Sequence, residues 1–390
     1  MKCYAAYAKN ISERNLGSSG GIYPLLARKY VERGAVVYAS VYDKYSVKFK
    51  RISNLDSLSK TFTSKYVQSD SSGIFEQVKK DLSEGLNVLF CGTPCHVQAL
   101  TKYLATFKID TNNLLKIEVI CHGVPSEYLF ERFMNEYYNG ECQELNMRSK
   151  ENGWNWGSYS WKMRLLDNKE IIIKQDRVPY MKAFLSDAFL RPSCYNCQSK
   201  ASSFSDIILG DFWGVTNLDI QLDDRYGVSC IILNTEEGEK AFNSILNDID
   251  CWKVNYQDIL SNNPALLNSS SMPFKRKYSY RKLKKTDNVQ KYLDNISQKN
   301  ILGKGINKIY QKVQRRKTQI NLKCKNEQAQ YSCIYKYKEG CCGCMACVSV
   351  CPKNAMNKYK DEEGFWYSVK NEALCVDCGL CKKVCPQHSF

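Results

Sequence analysis

Eight cysteines near the end of the chain stand at spacings that suit metal chemistry. Cys341, Cys344, Cys347 and Cys351 are followed by Pro352, and Cys375, Cys378, Cys381 and Cys385 by Pro386. Each run reads C-x2-C-x2-C-x3-C-P. Three close thiolates can wrap one corner of an iron–sulfur cubane, and the fourth ligand then comes from the other run. The expected ligand sets are Cys341, Cys344, Cys347 and Cys385 for one [4Fe–4S] cluster, and Cys375, Cys378, Cys381 and Cys351 for the other. Cys342 competes with Cys341 for the first place, but only Cys341 has the right spacing to Cys344. C-x2-C pairs also build zinc ribbons. Three cysteines at steps of three, a fourth four on, then proline, all stated twice, is not a zinc pattern.

Four further cysteines sit at suggestive places. Cys95 and Cys121 each follow a predicted strand, and strand ends gather on the ligand-binding edge of an α/β sheet. Cys194 and Cys197 form a C-x2-C pair. Together the four can supply a third [4Fe–4S] cluster, with Cys91 as a rival ligand; isolated cysteines near strands are also often plain buried residues. Cys3, Cys142, Cys230, Cys251, Cys324 and Cys333 have no partner pattern and read as structural. The loop Gly17, Ser18, Ser19, Gly20, Gly21 precedes a helical stretch, where backbone N–H groups and a helix N-terminus favour phosphate. It lacks both the G-K-[ST] ending and the GxGxxG spacing, and such turns also simply start helices. His96 and His122 adjoin candidate ligands, so each either tunes a cluster, protonates a bound ring, or is a plain polar loop residue. His388 shows no metal or triad spacing. No HExxH, GxSxG or paired-carboxylate motif stands out.

The elements that must position these residues alternate. A helix is predicted over Ile22 to Arg33, strands over Ala35 to Tyr42 and Ser46 to Ile52, and a helix around Ile74 to Glu84. A strand over Asn87 to Cys91 leads through Gly92, Thr93 and Pro94 into a helix, Cys95 to Tyr103, with proline well placed in its first turn. Leu115 to Ile120 is one more buried strand, ending at Cys121. Tyr159 to Leu166 and Glu170 to Lys174 form a hairpin, and Ile207 to Leu209 and Val228 to Leu233 add strands. The pattern predicts an α/β (α+β) main domain over 1–270 and a small cluster-binding domain over 331–390. The latter is too small to bury much core, so its clusters must hold it together.

The chain has 390 residues and a net charge of +16. Much of that charge is local: from Pro273 to Glu327, seventeen lysines and arginines face Asp287, Asp294 and Glu327. Ile301, Ile306, Ile309, Tyr310 and Val313 recur there at roughly helical spacing. The span 271–330 reads as a partly helical basic linker, either a solvated connector or a surface for an anionic membrane face, an acidic protein or an acidic substrate tail. No nucleic-acid-binding motif accompanies the charge, so nucleic acid is not an expected partner. Cysteines clustered in metal spacings argue for a reducing cytoplasm. No leader-like or membrane-spanning apolar run occurs, so a cytoplasmic protein is expected, at most peripheral to the inner membrane face.

The two ladders resemble those of bacterial-type 2[4Fe–4S] ferredoxins. A second resemblance rests on motifs in order: Ser18 to Gly21; Ser64, Lys65, Tyr66, Val67, Gln68, Ser69; Gly92, Thr93, Pro94, Cys95; Cys121 to Ser126; Leu190 to Cys197; and Ser205 to Gly214. Over roughly Tyr4 to Leu267 this series resembles the beta-subunit family of coenzyme F-420 hydrogenase/dehydrogenase. The resemblance implies a flavoprotein, FAD or FMN, with a cluster on Cys95, Cys121, Cys194 and Cys197 beside the flavin. It makes Cys91 a bystander and Gly17 to Gly21, Lys65 and Thr93 candidate flavin contacts. In many members a ferredoxin unit precedes the flavin region; here it follows. The implied activity moves electrons between a small-molecule hydride donor or acceptor, coenzyme F-420 or an equivalent, and an external one-electron carrier or redox partner protein. The alternative is a flavin-free ferredoxin-type carrier or assembly protein that docks a partner enzyme.

Overall fold

The computed structural model describes residues 1–155, 157–200, 203–218, 220–222, 225–297, 334–335 and 337–387. Fourteen strands are found among them: β1 (Lys2–Ala8), β2 (Val36–Asp43), β3 (Ser46–Ile52), β4 (Ser69–Asp70), β5 (Val88–Gly92), β6 (Leu114–Val119), β7 (Cys142–Ser149), β8 (Ser160–Leu165), β9 (Glu170–Lys174), β10 (Ile207–Asp211), β11 (Ser229–Leu233), β12 (Ile249–Lys253), β13 (Met356–Lys360) and β14 (Trp366–Lys370). Nine build one mixed sheet in the order β12-β1-β11-β10-β6-β5-β2-β3-β4. Its centre is parallel, β10 with β6, β6 with β5 and β5 with β2. Antiparallel pairings of β1, β11 and β12 extend one side, and β2 with β3 the other.

Both faces of the centre are covered, which is why β5 is apolar without alternation: Val88, Leu89 and Phe90 are all buried. On one face Val37, Leu89, Ile117 and Ile231 pack under the helix Ile22–Glu32 through Ile22, Leu25 and Leu26. On the other, Val36, Tyr38 and Phe90 meet Val78 of the helix Ile74–Ser83 and Val97, Leu100 and Tyr103 of the helix Pro94–Thr106. The mixed α/β architecture agrees with the expectation. Strands β1, β4, β7, β12, β13 and β14 lie outside the expectation.

A second, antiparallel sheet, β7-β8-β9, turns Trp161, Met163 and Leu165 inward against Phe133 and Tyr180. The span expected to be a connector begins differently. Arg276–Lys285 and Val289–Ser297 are helices whose Tyr280, Leu283, Val289 and Leu293 join this same core. The apolar periodicity at 301–313, Cys324, Cys333 and His388 lie outside the described residues. No helix among the described residues is long and apolar enough to cross a membrane.

The cluster-binding unit does not stand alone. Ala346, Val350 and Val384 pack with Val97 and Leu100, while Met356, Phe365 and Tyr367 pack with Phe189 and Tyr280. Polar contacts close the seam. Ser71 Oγ donates to the Cys344 carbonyl at 2.8 Å, Lys358 pairs with Asp70 at 2.8 Å, and Arg276 grips Glu363 with two bonds at 3.0 and 2.6 Å. A unit too small for its own core therefore borrows the larger one.

Candidate functional site

The ends of the parallel strands deliver most candidate residues to one cavity of about 590 Å³, inside the range of roughly 300–1,000 Å³ of small-molecule sites. Gly17, Ser18, Ser19, Gly21, Lys65, Cys91, Thr93, His96, Cys121 and His122 all line it. The helix Ile22–Glu32 opens onto it through Ile22, Tyr23 and Pro24, so an N-terminal helix dipole faces the space. Gly20 is behind the wall. A Cβ there would strike the Ala6 carbonyl and stand 2.9 Å from Ser229 N, so this glycine lets the loop lie flat on β1 and β11. Gly21 has φ +82, and a Cβ there would approach Arg14 Cα at 2.8 Å. The loop is tied to its scaffold: Ser64 N donates to Ser18 Oγ at 2.8 Å, Ser19 Oγ to the Val228 carbonyl at 2.7 Å, and Gly20 N to Ser229 Oγ at 2.9 Å.

Lys65 reaches the cavity wall with its Nζ donating to the carbonyls of Thr61, Phe62 and Thr63 at 3.4, 2.9 and 3.1 Å. Burial brings its pKa down to about 7, with the neighbouring Cys91 opposing the shift. Cys91 is thus a wall residue beside Lys65. Thr93 Oγ1 lies 2.8 Å from His96 Nδ1 and 3.2 Å from Cys95 Sγ. Burial, with Arg191 nearby, holds His96 down to about 4, so its imidazole is neutral. His122 Nε2 lies 2.6 Å from Asp187 Oδ1.

Sequence patterns alone assign no role to Arg148, Asp211 or Trp213, which the cavity wall also contains. Arg148 is buried and grips Asp211 with bonds at 2.8 and 2.9 Å, while donating to Tyr66 Oη and the Ser18 carbonyl, each at 3.0 Å. Its guanidinium lies 4.3 Å from the Tyr159 ring centre. The pair fixes the Gly-Ser loop from below. Asp211 and Trp213 stand inside the motif Ser205 to Gly214; Arg148 lies on an unpredicted strand, with no pattern to mark it.

Beyond the cavity wall stand the cysteine sets. Burial pushes the Cys121 thiol up to about 12, with Cys95 and Cys197 beside it adding to the rise. Burial also raises Cys194, which feels Cys121, Cys95 and Cys197. The four thiols from three segments thus lie near one another. Buried thiols crowded in this way resist ionisation until a cation takes them as thiolates. Cys347 likewise feels Cys341, Cys385 and Cys381, and Cys344 feels Cys385 and Cys347, so thiols of the two ladders lie near one another. Cys351, Cys375, Cys378 and Cys381 surround a cavity of about 280 Å³. Among the described residues no group of three or more His, Cys, Asp or Glu side chains is arranged to hold a metal ion.

Cys342 is the unexpected member. Its thiol lies beside those of Cys344 and Cys95, and the neighbouring Cys344 thiol and its burial push its pKa well up. It links the quartet on the main domain to the first ladder.

Comparison with known proteins gives matches at both ends of this arrangement. Residues 85–257 match the family defined by the C terminus of the beta subunit of coenzyme F420 hydrogenase/dehydrogenase, and residues 340–390 the 4Fe-4S dicluster domain. The motifs at 18–21 and 64–69 lie ahead of the first match. A 53-residue stretch is 38% identical to an uncharacterized ferredoxin of Methanocaldococcus jannaschii, covering 14% of this chain and 68% of that protein. A chain in the xenon-derivatised F420-reducing [NiFe] hydrogenase complex of Methanosarcina barkeri is similar at 15% identity. That similarity covers 73% of this chain and 92% of that one, with a TM-score of 0.49.

Proposed function

Because the chain carries the C-terminal region of the beta subunit of coenzyme F420 hydrogenase/dehydrogenase and belongs, over its last residues, to the 4Fe-4S dicluster ferredoxins, we propose that it is an iron–sulfur flavoprotein oxidoreductase. In this reading it exchanges a hydride with a small carrier, coenzyme F420 or an equivalent, and passes single electrons to an external carrier protein. A bound flavin couples the one chemistry to the other, and bound cubanes carry the electrons.

The observation that carries this reading is a continuous line of sulfur. Cys121 belongs both to the cavity wall and to the quartet. Cys95 of the quartet touches Cys342, and Cys342 touches Cys344 of the first ladder set. Cys347 feels Cys381 of the outer set, and Cys378 at its far side is exposed. A redox path from the cavity to the protein surface needs such an order. The quartet would hold a third [4Fe–4S] cluster. Gly17, Ser18, Ser19 and Gly21, with the helix dipole behind them, would face the flavin phosphate, and Lys65 would supply charge. Phe184 and Trp213 give the cavity flat apolar wall, and Thr93 orients His96. His122, at the wall, is bonded through Nε2 to Asp187.

The test is the flavin and iron content of anaerobically purified protein, by heat extraction with chromatography and by iron analysis. About one flavin and about twelve iron atoms per chain, four for each cubane, are expected. About eight iron atoms and no flavin, with no uptake of added FAD or FMN, would leave the flavin-free carrier instead.

A further inference from the structure

The seam between the two units contains buried donors for which the protein supplies no acceptor. Arg191 is 1% exposed. Its Nε donates to the Cys341 carbonyl at 2.8 Å and its guanidinium lies 4.1 Å from the Tyr367 ring centre. Both terminal nitrogens, Nη1 and Nη2, are buried without a hydrogen-bond partner. Gln68, 4% exposed, repeats the pattern from the other side. Its Oε1 accepts from Trp366 N at 3.1 Å, while its Nε2 is buried without a partner.

Both unpartnered groups crowd one turn. Gly343 has φ +75, and a Cβ there would run into Gln68 Nε2 and stand 3.0 Å from Arg191 Nη1. Gly343 is the residue between Cys342 and Cys344, inside the ladder that supplies three ligands to the inner cluster. An unmet buried donor is costly, more so when charged, and such groups persist where an acceptor arrives. Thiolate and sulfide atoms of a bound cluster are anionic acceptors, so they fit a guanidinium and an amide directed at this turn.

We propose that Arg191 and Gln68 donate hydrogen bonds to the cluster held by Cys341, Cys344, Cys347 and Cys385, and thereby raise its reduction potential. Reduction adds one negative charge to a cluster, and donors with positive charge beside it favour that form. The proposal rests on the dicluster reading of the ladders and adds two positioning residues that no ligand spacing reveals. Both come from the main domain, so the tuning exists only while the two units are docked.

The experiment is a potentiometric titration followed by EPR on the anaerobically purified full chain. The inner cluster's wave is assigned by its loss in Cys341→Ser. Arg191→Met removes the charge and both free donors. Gln68→Glu removes one donor but keeps the acceptor for Trp366 N. Each variant is expected to lower the inner cluster's reduction equilibrium at least tenfold, about 59 mV for a one-electron couple, with the outer cluster unmoved. If Arg191→Met does not fold, Gln68→Glu decides. An unshifted inner wave, or both waves moving together as a general loosening would cause, overturns the proposal. A wild-type chain without an inner-cluster signal overturns the dicluster reading and the proposal with it.

Discussion

A largely buried charge pair helps close the seam between the two units, and breaking one side of it should loosen the seam. Arg276 is 7% exposed and Glu363 21% exposed. The guanidinium also donates through Nε to the Leu190 carbonyl at 2.9 Å and lies 4.8 Å from the Tyr280 ring centre. None of these other partners is an anion. Glu363→Ala therefore strands a buried cation. Breaking such a pair from one side costs about 3–5 kcal/mol. The partial exposure of Glu363 places the cost at the lower end, about 3 kcal/mol, a factor of roughly 150 at 1.4 kcal/mol per decade. Lys358→Ala is the control. Its pair with Asp70 has a lysine side chain 37% exposed, so its loss should cost about 1 kcal/mol or less. The assay is native-state hydrogen exchange at seam amides such as Phe365 N, which bonds to Asp361 Oδ1 at 2.9 Å. Glu363→Ala should speed exchange there far more than Lys358→Ala. Adding Arg276→Met to Glu363→Ala should recover part of the loss, since no lone charge remains. Equal effects of the two single variants, or no recovery in the double one, would refute the argument.

Other outcomes follow from the same geometry. Cys194→Ser should lower the iron content by about four atoms per chain, whereas Cys342→Ser, which removes a thiol that only bridges the sets, should leave it unchanged. The charge on Lys65 in the free protein is lost as pH rises through about 7. Flavin affinity should therefore be flat below that pH and weaken by up to about tenfold per pH unit above it; Lys65→Arg should flatten the profile, and a pH-independent wild type would remove Lys65 from the site. Gly20→Ala should lower the thermal unfolding midpoint, because its Cβ meets backbone on two strands and overpacking costs about 1–3 kcal/mol. Gly17→Ala, whose nearest neighbour would be Gly21 Cα at 3.2 Å, should be milder.

What the sequence disclosed follows physical lines. Strand β5 and the helix after it were legible because an apolar run ended at Gly92, Thr93 and Pro94. The ligand ladders were legible because a cubane needs thiolates at fixed steps. Strand β1 was not, since Cys3, Ala5, Ala6 and Ala8 are all buried and leave no alternation to read. Strand β7 is mostly polar and half-buried, so Arg148 had no element to belong to. The helix over 276–285 looked like a basic connector because charge dominates its composition, and the helix over 289–297 was read together with it. Yet Tyr280, Leu283 and Leu293 fill a core, and Arg276 is matched by a glutamate far along the chain. Neither the crossing of Cys342 to Cys95 nor the approach of Arg191 to Cys341 is local, so no spacing rule announces them.

The central claim is that the cavity communicates with the exposed outer cluster through the quartet. Stopped-flow spectroscopy of the flavin-loaded, anaerobic chain mixed with a reduced one-electron dye tests it directly, with wild type compared against Cys194→Ser. The account predicts rapid bleaching of the flavin band after the cluster bands in wild type, and bleaching of the clusters alone on that timescale in the variant. Equal flavin bleaching in both, or clusters that bleach in wild type while the flavin never follows, would contradict it.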